Sequence, residues 1–136
     1  MKKVIFVCIH NSGRSQMAEA FAKRLGKGIL EAESAGTIPG SHLNPMAVKA
    51  MEELGYDMST HYPKLMTEEM VKTADKIISM GCGVDAAACP VKFLVTEDWG
   101  LDDPKDQPIE KVREIRDAIK HKVEELIMSV RNTGKE

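Results

Sequence analysis

Apolar and polar positions along the chain fall into two alternating rhythms. Val4-Ile5-Phe6-Val7 is an unbroken apolar run rich in β-branched side chains, which suits a strand covered on both faces. After a polar stretch, Met17, Ala18, Phe21, Ala22 and Leu25 recur at helical spacing until Gly26, a stop signal. Ile29 to Ser34 predicts a second strand, closed by Ala35-Gly36. Asn44 as N-cap, Pro45 at the first helical position and Gly55 past the end bracket a second helix; Ala47, Val48, Met51 and Leu54 form its apolar face. Thr67 predicts the cap of a short helix reaching about Ala74, with Glu68 and Glu69 at the positive end of its dipole. Lys76 to Met80 and Lys92 to Val95 predict a third and a fourth strand. From Ile109 onward, Val112, Ile115, Ile119, Val123, Leu126, Ile127 and Val130 trace one face of a long C-terminal helix.

Strands alternating with helices predict the α/β class. The expected architecture is a single three-layer domain over residues 1–136, a four-stranded parallel sheet with helices on both faces. No internal repeat, low-complexity tract or linker divides it. A chain of 136 residues, 43% hydrophobic and 29% charged, is long enough and apolar enough to bury a real core. A net charge of −2 and 4% aromatics argue against a nucleic-acid surface, which needs a basic cluster or stacking platforms. No apolar run reaches the length of a membrane span, and the run after Met1-Lys2-Lys3 is too short for a signal peptide. The expected setting is therefore the cytoplasm, without a membrane partner. Three cysteines, an odd number, point there to catalytic or metal chemistry rather than a static disulfide framework.

The candidate chemistry begins at Cys8, directly after the first strand. Parallel α/β sheets gather ligands at the carboxyl ends of their strands. Cys8-Ile9-His10-Asn11-Ser12-Gly13-Arg14-Ser15 leads from such an end into a helix. Ser12-Gly13 permits a sharp turn, so that backbone N–H groups and the helix dipole converge on one point. Arg14 adds a planar fork suited to two oxygens of a tetrahedral anion. Positive surroundings favour the thiolate of Cys8, Ser15 can donate its hydroxyl to the sulfur, and Asn11 suits a left-handed backbone. Cys8 is thus the expected nucleophile, and Asn11, Ser12, Gly13, Arg14 and Ser15 the expected oxyanion-binding residues. The competing reading makes Cys8 a small apolar strand residue and Arg14 a surface charge. It requires the Cys-x5-Arg-Ser pattern to fall by chance between a buried strand and an amphipathic helix.

Other motifs extend the pattern: Arg14-Ser15-Gln16-Met17-Ala18-Glu19, Ser34-Ala35-Gly36, Asn44-Pro45, Gly81-Cys82 with Cys89-Pro90, and Trp99-Gly100-Leu101-Asp102-Asp103-Pro104. Over nearly its whole length the chain resembles the low-molecular-weight protein tyrosine phosphatase superfamily, and within it the thioredoxin-coupled arsenate reductases. The resemblance implies reduction of arsenate to arsenite for arsenic detoxification, by a Cys8-Cys82-Cys89 disulfide relay recycled by thioredoxin. The substrate would be arsenate or a phosphate-like oxyanion. The alternative is a low-molecular-weight protein tyrosine phosphatase acting through a Cys8 phosphocysteine. Such phosphatases tend to carry aromatic residues after the Asp-Pro pair, where this chain has Lys105-Asp106.

Cys82 follows the third predicted strand as Cys8 follows the first. If those strands are neighbours, their chains lie about 4.8 Å apart and the two thiols can meet, as a resolving thiol requires. A helix between Cys82 and Cys89 would separate their Cα atoms by about 10 Å, so a bond between them needs Gly83 to Ala88 to loop or unwind. Zinc is disfavoured, because Cys-x6-Cys is too wide a knuckle and no second close pair exists. Two buried structural cysteines, or a redox relay, remain; the relay matches the family.

Release of an oxygen needs a proton donor. Asp98, Asp102, Asp103 and Asp106 cluster late in the chain, and a solvated acidic loop accounts for all but one. Asp103 precedes Pro104, which favours an extended backbone, and it occupies the position of the family's acidic Asp-Pro loop. It is the expected acid. Among the scattered His10, His42, His61 and His121, only His10 lies in the loop, where relatives often have glycine; its side chain is expected to point away. The family's reductase loop often reads Cys-Thr-Gly-Asn-Ser-Cys-Arg, from which Ile9, His10 and Gly13 depart. Some family members hold potassium with an Asn, a Glu, a Ser and an Asp. Asn11, Glu19 and Ser34 match three of these, and Lys64 aligns with the Asp. An ammonium there can fill the cation's place, so no metal and no cofactor is expected.

Overall fold

Val4, Ile5, Phe6 and Val7 have no exposed surface because the strand that carries them lies at the middle of the molecule, between two hydrogen-bonded neighbours. The structure, a computed structural model, describes residues 1–81 and 97–133. Its sheet runs β2-β1-β3-β4, every pairing parallel, with β1 at Lys2–Cys8, β2 at Leu30–Gly36, β3 at Lys76–Ser79 and β4 at Glu97–Asp98. This is the four-stranded parallel sheet expected from the pattern. The predicted strand at Lys92 to Val95 falls outside the described residues, as do Cys82 and Cys89; among the described residues the fourth strand is Glu97–Asp98.

Successive side chains of β1 point to opposite faces. Val4, Phe6 and Cys8 join Met17, Phe21, Met51, Ile115, Ile119 and Val123 in the larger core cluster. That face is covered by α1 (Arg14–Leu25), α2 (Pro45–Glu52) and α4 (Ile109–Thr133). Ile5 and Val7 face the other way, onto Ala35, Met66 and Ile77, with Met70 and Val71 of α3 (Glu68–Thr73) packed against them. Helices on both faces leave β1 with the continuous apolar run that first marked it.

Local rules placed the helix ends. The Asn44 side chain accepts from the Met46 and Ala47 amides, with Pro45 as the first helical residue, and the Thr67 hydroxyl accepts from the Met70 amide. Caps of this kind contribute about 1 kcal/mol each. The apolar stripe of α4 is buried from Val112 to Ile127. Leu25 and Leu54, assigned to apolar faces, are 37% and 38% exposed. Leu25 is the last residue of α1 and Leu54 lies beyond α2, where the periodicity outlasts the contact with the core. A bridge locks α2 to α4: Glu53 receives Arg113 at 2.6 and 2.9 Å and Arg116 at 3.1 Å, while Arg116 also donates to the Ala50 carbonyl. Among the described residues no helix is long and apolar enough to cross a membrane.

After β1 the chain passes to β2 on one side, and later returns to β3 on the other. A crevice opens at such a switch point, outside the carboxyl ends of the strands. Cys8 is the last residue of β1 and therefore lies at that crevice.

Candidate active site

Between Cys8 and the start of α1 the backbone must reverse within five residues, and Asn11 takes the left-handed conformation (φ 52°) that this demands. Gly13 is the N-cap of α1, and no side chain caps that helix start. An anion would meet an uncapped helix N-terminus with its dipole behind it. A Cβ on Gly13 would stand 3.1 Å from the Pro104 side chain, so glycine lets the Asp103-Pro104 segment close on the loop. A second wall is strapped to the loop from outside: the Ile38, Gly40 and Asn44 amides donate to the carbonyls of Ile9, His10 and Ser12. The loop and these two walls enclose an open cleft of about 850 Å3.

Cys8, Ser12, Gly13, Arg14 and Asp103 all line this cleft. Asn11 and Ser15, expected among the oxyanion-binding residues, do not. Their side chains are fully buried behind the loop, where they act on Cys8. Ser15 Oγ lies 3.0 Å from Cys8 Sγ, and Asn11 Nδ2 donates to the same Ser15 oxygen at 2.7 Å. The orientation of Asn11 follows from its partners. Its Oδ1 faces the Lys64 amide at 2.9 Å, a group that can only donate, so its NH2 must face Ser15. With its oxygen accepting from Asn11, Ser15 is set to turn its hydroxyl hydrogen toward the sulfur, the bond that favours a thiolate.

Arg14 is 7% exposed and anchored rather than adrift. Its Nη1 donates to the Leu101 carbonyl at 2.8 Å and, more weakly, to the Met80 carbonyl at 3.4 Å, while Nη2 stands 3.7 Å from Asp103 Oδ2. Asp103 is more than half exposed and its Oδ1 accepts from the Lys105 amide. Of the other acids, Asp98 accepts from Ser79 Oγ and Asp102 pairs with Lys111, while Asp106 lines the cleft beside Asp103. His10 Nδ1 contacts the Ile38 carbonyl at the rim.

Known proteins of similar sequence and fold identify the family. A family model described as low molecular weight phosphotyrosine protein phosphatase matches residues 3–136. The chain belongs to this family. Among its members, a glutaredoxin arsenate reductase of Synechocystis sp. is 42% identical over 131 residues, 96% of this chain and 99% of that protein. A solved arsenate reductase in the phosphate-binding state superposes with a TM-score of 0.82 at 39% identity, covering 96% of this chain and 99% of that one. The thioredoxin-dependent arsenate reductase of Corynebacterium glutamicum superposes with a TM-score of 0.78 at 32% identity, over 98% of this chain and 63% of that one.

Within this family fold, Gln16 and His61, which sequence reasoning left unassigned, brace the loop from behind. Gln16 donates through Nε2 to the Asn11 backbone and side-chain oxygens and to the Tyr62 carbonyl. All three partners are acceptors, so Gln16 Oε1 accepts a hydrogen bond from His61 Nδ1, 3.0 Å away. Burial holds His61 below the ordinary imidazole range, against the pull of Glu19, and keeps it neutral. The position of Gln16 within the loop motif was a signal; nothing in the local pattern marked His61 as its partner.

Asn11, Glu19, Ser34 and Lys64 do come together, but not as a potassium site. Lys64 Nζ lies 3.0 Å from Glu19 Oε1, to which Ser34 also donates at 2.8 Å, and Asn11 Oδ1 is taken by two N–H donors. The oxygens that would face a metal ion face protons instead. The residues present do not fit potassium.

Proposed function

We propose that the chain is an arsenate reductase whose nucleophile is the Cys8 thiolate. The observation that carries this reading is the placement of Cys8 in a cleft shared with Arg14 and Asp103, with Ser15 on its sulfur. Arg14 and the loop amides bind arsenate, and Cys8 attacks arsenic as Asp103 protonates the departing oxygen. Cys82 then attacks Cys8. The arsenic–sulfur bond breaks with its electron pair on arsenic, arsenite leaves, and a Cys8–Cys82 disulfide remains. Cys89 attacks Cys82, and a thioredoxin-like dithiol reduces the resulting Cys82–Cys89 disulfide. Pairing of β1 with β3, in register Val7 to Ser79, supports a meeting of Cys8 with Cys82, as does Gly81 on the cleft wall. A reducing cytoplasm would keep such a relay charged.

A second reading, phosphotyrosine hydrolysis, is favoured by the family's description and uses the same three cleft residues. The lining argues against it: Lys105, Asp106 and Gln107 follow Pro104, and no Phe, Tyr or Trp faces the described cleft to stack on a phenyl ring.

The test is arsenate reduction coupled to thioredoxin, thioredoxin reductase and NADPH, with glutaredoxin and glutathione in a parallel arm. The wild type should turn over many times with thioredoxin and Cys89→Ser once. Undiminished cycling by Cys89→Ser would overturn the relay, and steady aryl-phosphate turnover outpacing arsenate reduction would reverse the ranking of the two readings.

A further inference from the structure

Glu19 is 2% exposed, directly behind the loop that carries Cys8. A carboxylate there needs compensation, because a buried charge without a partner is strongly destabilising. Three basic side chains surround it: Lys64 Nζ at 3.0 Å on Oε1, Lys23 Nζ at 3.2 Å on Oε2 and His61 Nδ1 at 3.5 Å on Oε2. They are not equivalent. Lys23 is 55% exposed and free to be screened, and His61 is held neutral by burial, whereas Lys64 is 24% exposed and reaches the innermost oxygen beside Ser34. Burial by itself would raise the Glu19 carboxyl. Lys64, Ser34 and Lys23 more than offset it, and the carboxyl stays below its usual range.

Lys64 also grips the loop through its main chain. Its amide donates to Asn11 Oδ1 at 2.9 Å, and its carbonyl accepts from the Gly36 amide at 2.8 Å. One residue therefore fixes both the charge beneath the loop and the amide that orients Ser15 onto Cys8. We propose that Lys64 is a positioning residue that serves as a tethered cation: its ammonium neutralises Glu19 and steadies the Asn11–Ser15–Cys8 chain, so that the site works without a monovalent metal ion. The proposal rests on Cys8 being the thiolate nucleophile, and its test must separate the two ideas.

That test reads the thiolate directly rather than arsenate turnover. In a Cys82→Ser/Cys89→Ser background, the ultraviolet absorbance of the thiolate follows Cys8 alone as pH is varied. The wild-type Lys64 protein should give the same midpoint in sodium as in potassium chloride at equal ionic strength. Lys64→Ala, which strips Glu19 of its nearest cation and leaves only Lys23 and Ser34 to offset its charge behind the Cys8 thiolate, should raise the midpoint by about one unit, a tenfold loss of thiolate at a given pH below it. Added ammonium should restore it more than sodium does, and Lys64→Arg should stay near wild type. An unchanged midpoint in Lys64→Ala would overturn the proposal, as would a potassium-dependent midpoint or melting temperature in the protein that keeps Lys64. That last comparison decides the matter even if Lys64→Ala does not fold. A Cys8 that forms no thiolate at neutral pH in any variant would sink the nucleophile itself.

Discussion

Asp103 Oδ2 stands 3.7 Å from Arg14 Nη2, so the proposed acid leans on the guanidinium proposed to hold the anion. The pair spans the cleft between the start of α1 and the segment after β4. An incoming oxyanion must share Arg14 with Asp103, which brings the carboxyl within reach of an oxygen about to leave. Asp103→Asn keeps the shape but supplies no acidic proton. Its turnover number for arsenate should fall about 10²–10⁴-fold with KM little changed, as single-turnover arsenite release would show. Equal turnover by this variant would remove Asp103 from the mechanism.

Ser15 Oγ is 3.0 Å from Cys8 Sγ and fully buried. Hydrogen bonds to a charged group are worth about 1.5–3 kcal/mol, equivalent to roughly one to two pKa units. Ser15→Ala should therefore raise the Cys8 midpoint by that amount and slow alkylation by iodoacetamide at neutral pH. A midpoint shift under a few tenths of a unit would mean that the hydroxyl does not serve the sulfur.

Gly81 has φ +85°, and a Cβ there would collide with the Leu101 amide nitrogen and lie 2.6 Å from the Gly100 Cα. Both conditions demand glycine, and the neighbour is backbone that cannot swing aside. Gly81→Ala should cost about 1–3 kcal/mol and push the Leu101 carbonyl away from Arg14. Denaturant melts should report the first effect, and a raised KM for arsenate the second.

Two arginines hold the Glu53 carboxyl at about 2, the Arg113 hydrogen bond contributing first. A carboxylate depressed in the folded state stabilises it fully above its unfolded value, near 4.5, and loses that contribution as pH falls toward 2. Unfolding measured across this window should show stability dropping with acid, and Glu53→Gln should flatten part of that slope. An identical slope in the variant would mean that the bridge between α2 and α4 contributes nothing to acid sensitivity.

Much of the fold was legible because its signals are short-range. The run Val4 to Val7, the caps Asn44 and Thr67, and the stripe from Val112 to Ile127 each act within a few residues, and each stands where the pattern put it. Leu25 and Leu54 show the limit: periodicity marks an apolar face but not where the helix parts from the core. The loop was legible for the same reason, since the proposed nucleophile, the turn and the arginine are contiguous. Its inner partners were not, because Gln16 meets His61 across 45 residues and Arg14 meets the Leu101 carbonyl across 87.

The sequence by itself determined that a cysteine would sit at the end of a buried strand, ahead of a helix start able to receive an anion; strand burial, turn chemistry and helix polarity are local. Only the tertiary structure decided which side chains line the cleft and which stand behind it. Asn11 and Ser15 turned inward to Cys8, and Lys64 met Glu19, because strand order and the docking of residues 61–66 beside β2 set those distances. Contacts between distant segments depend on how the layers close, which no local spacing encodes.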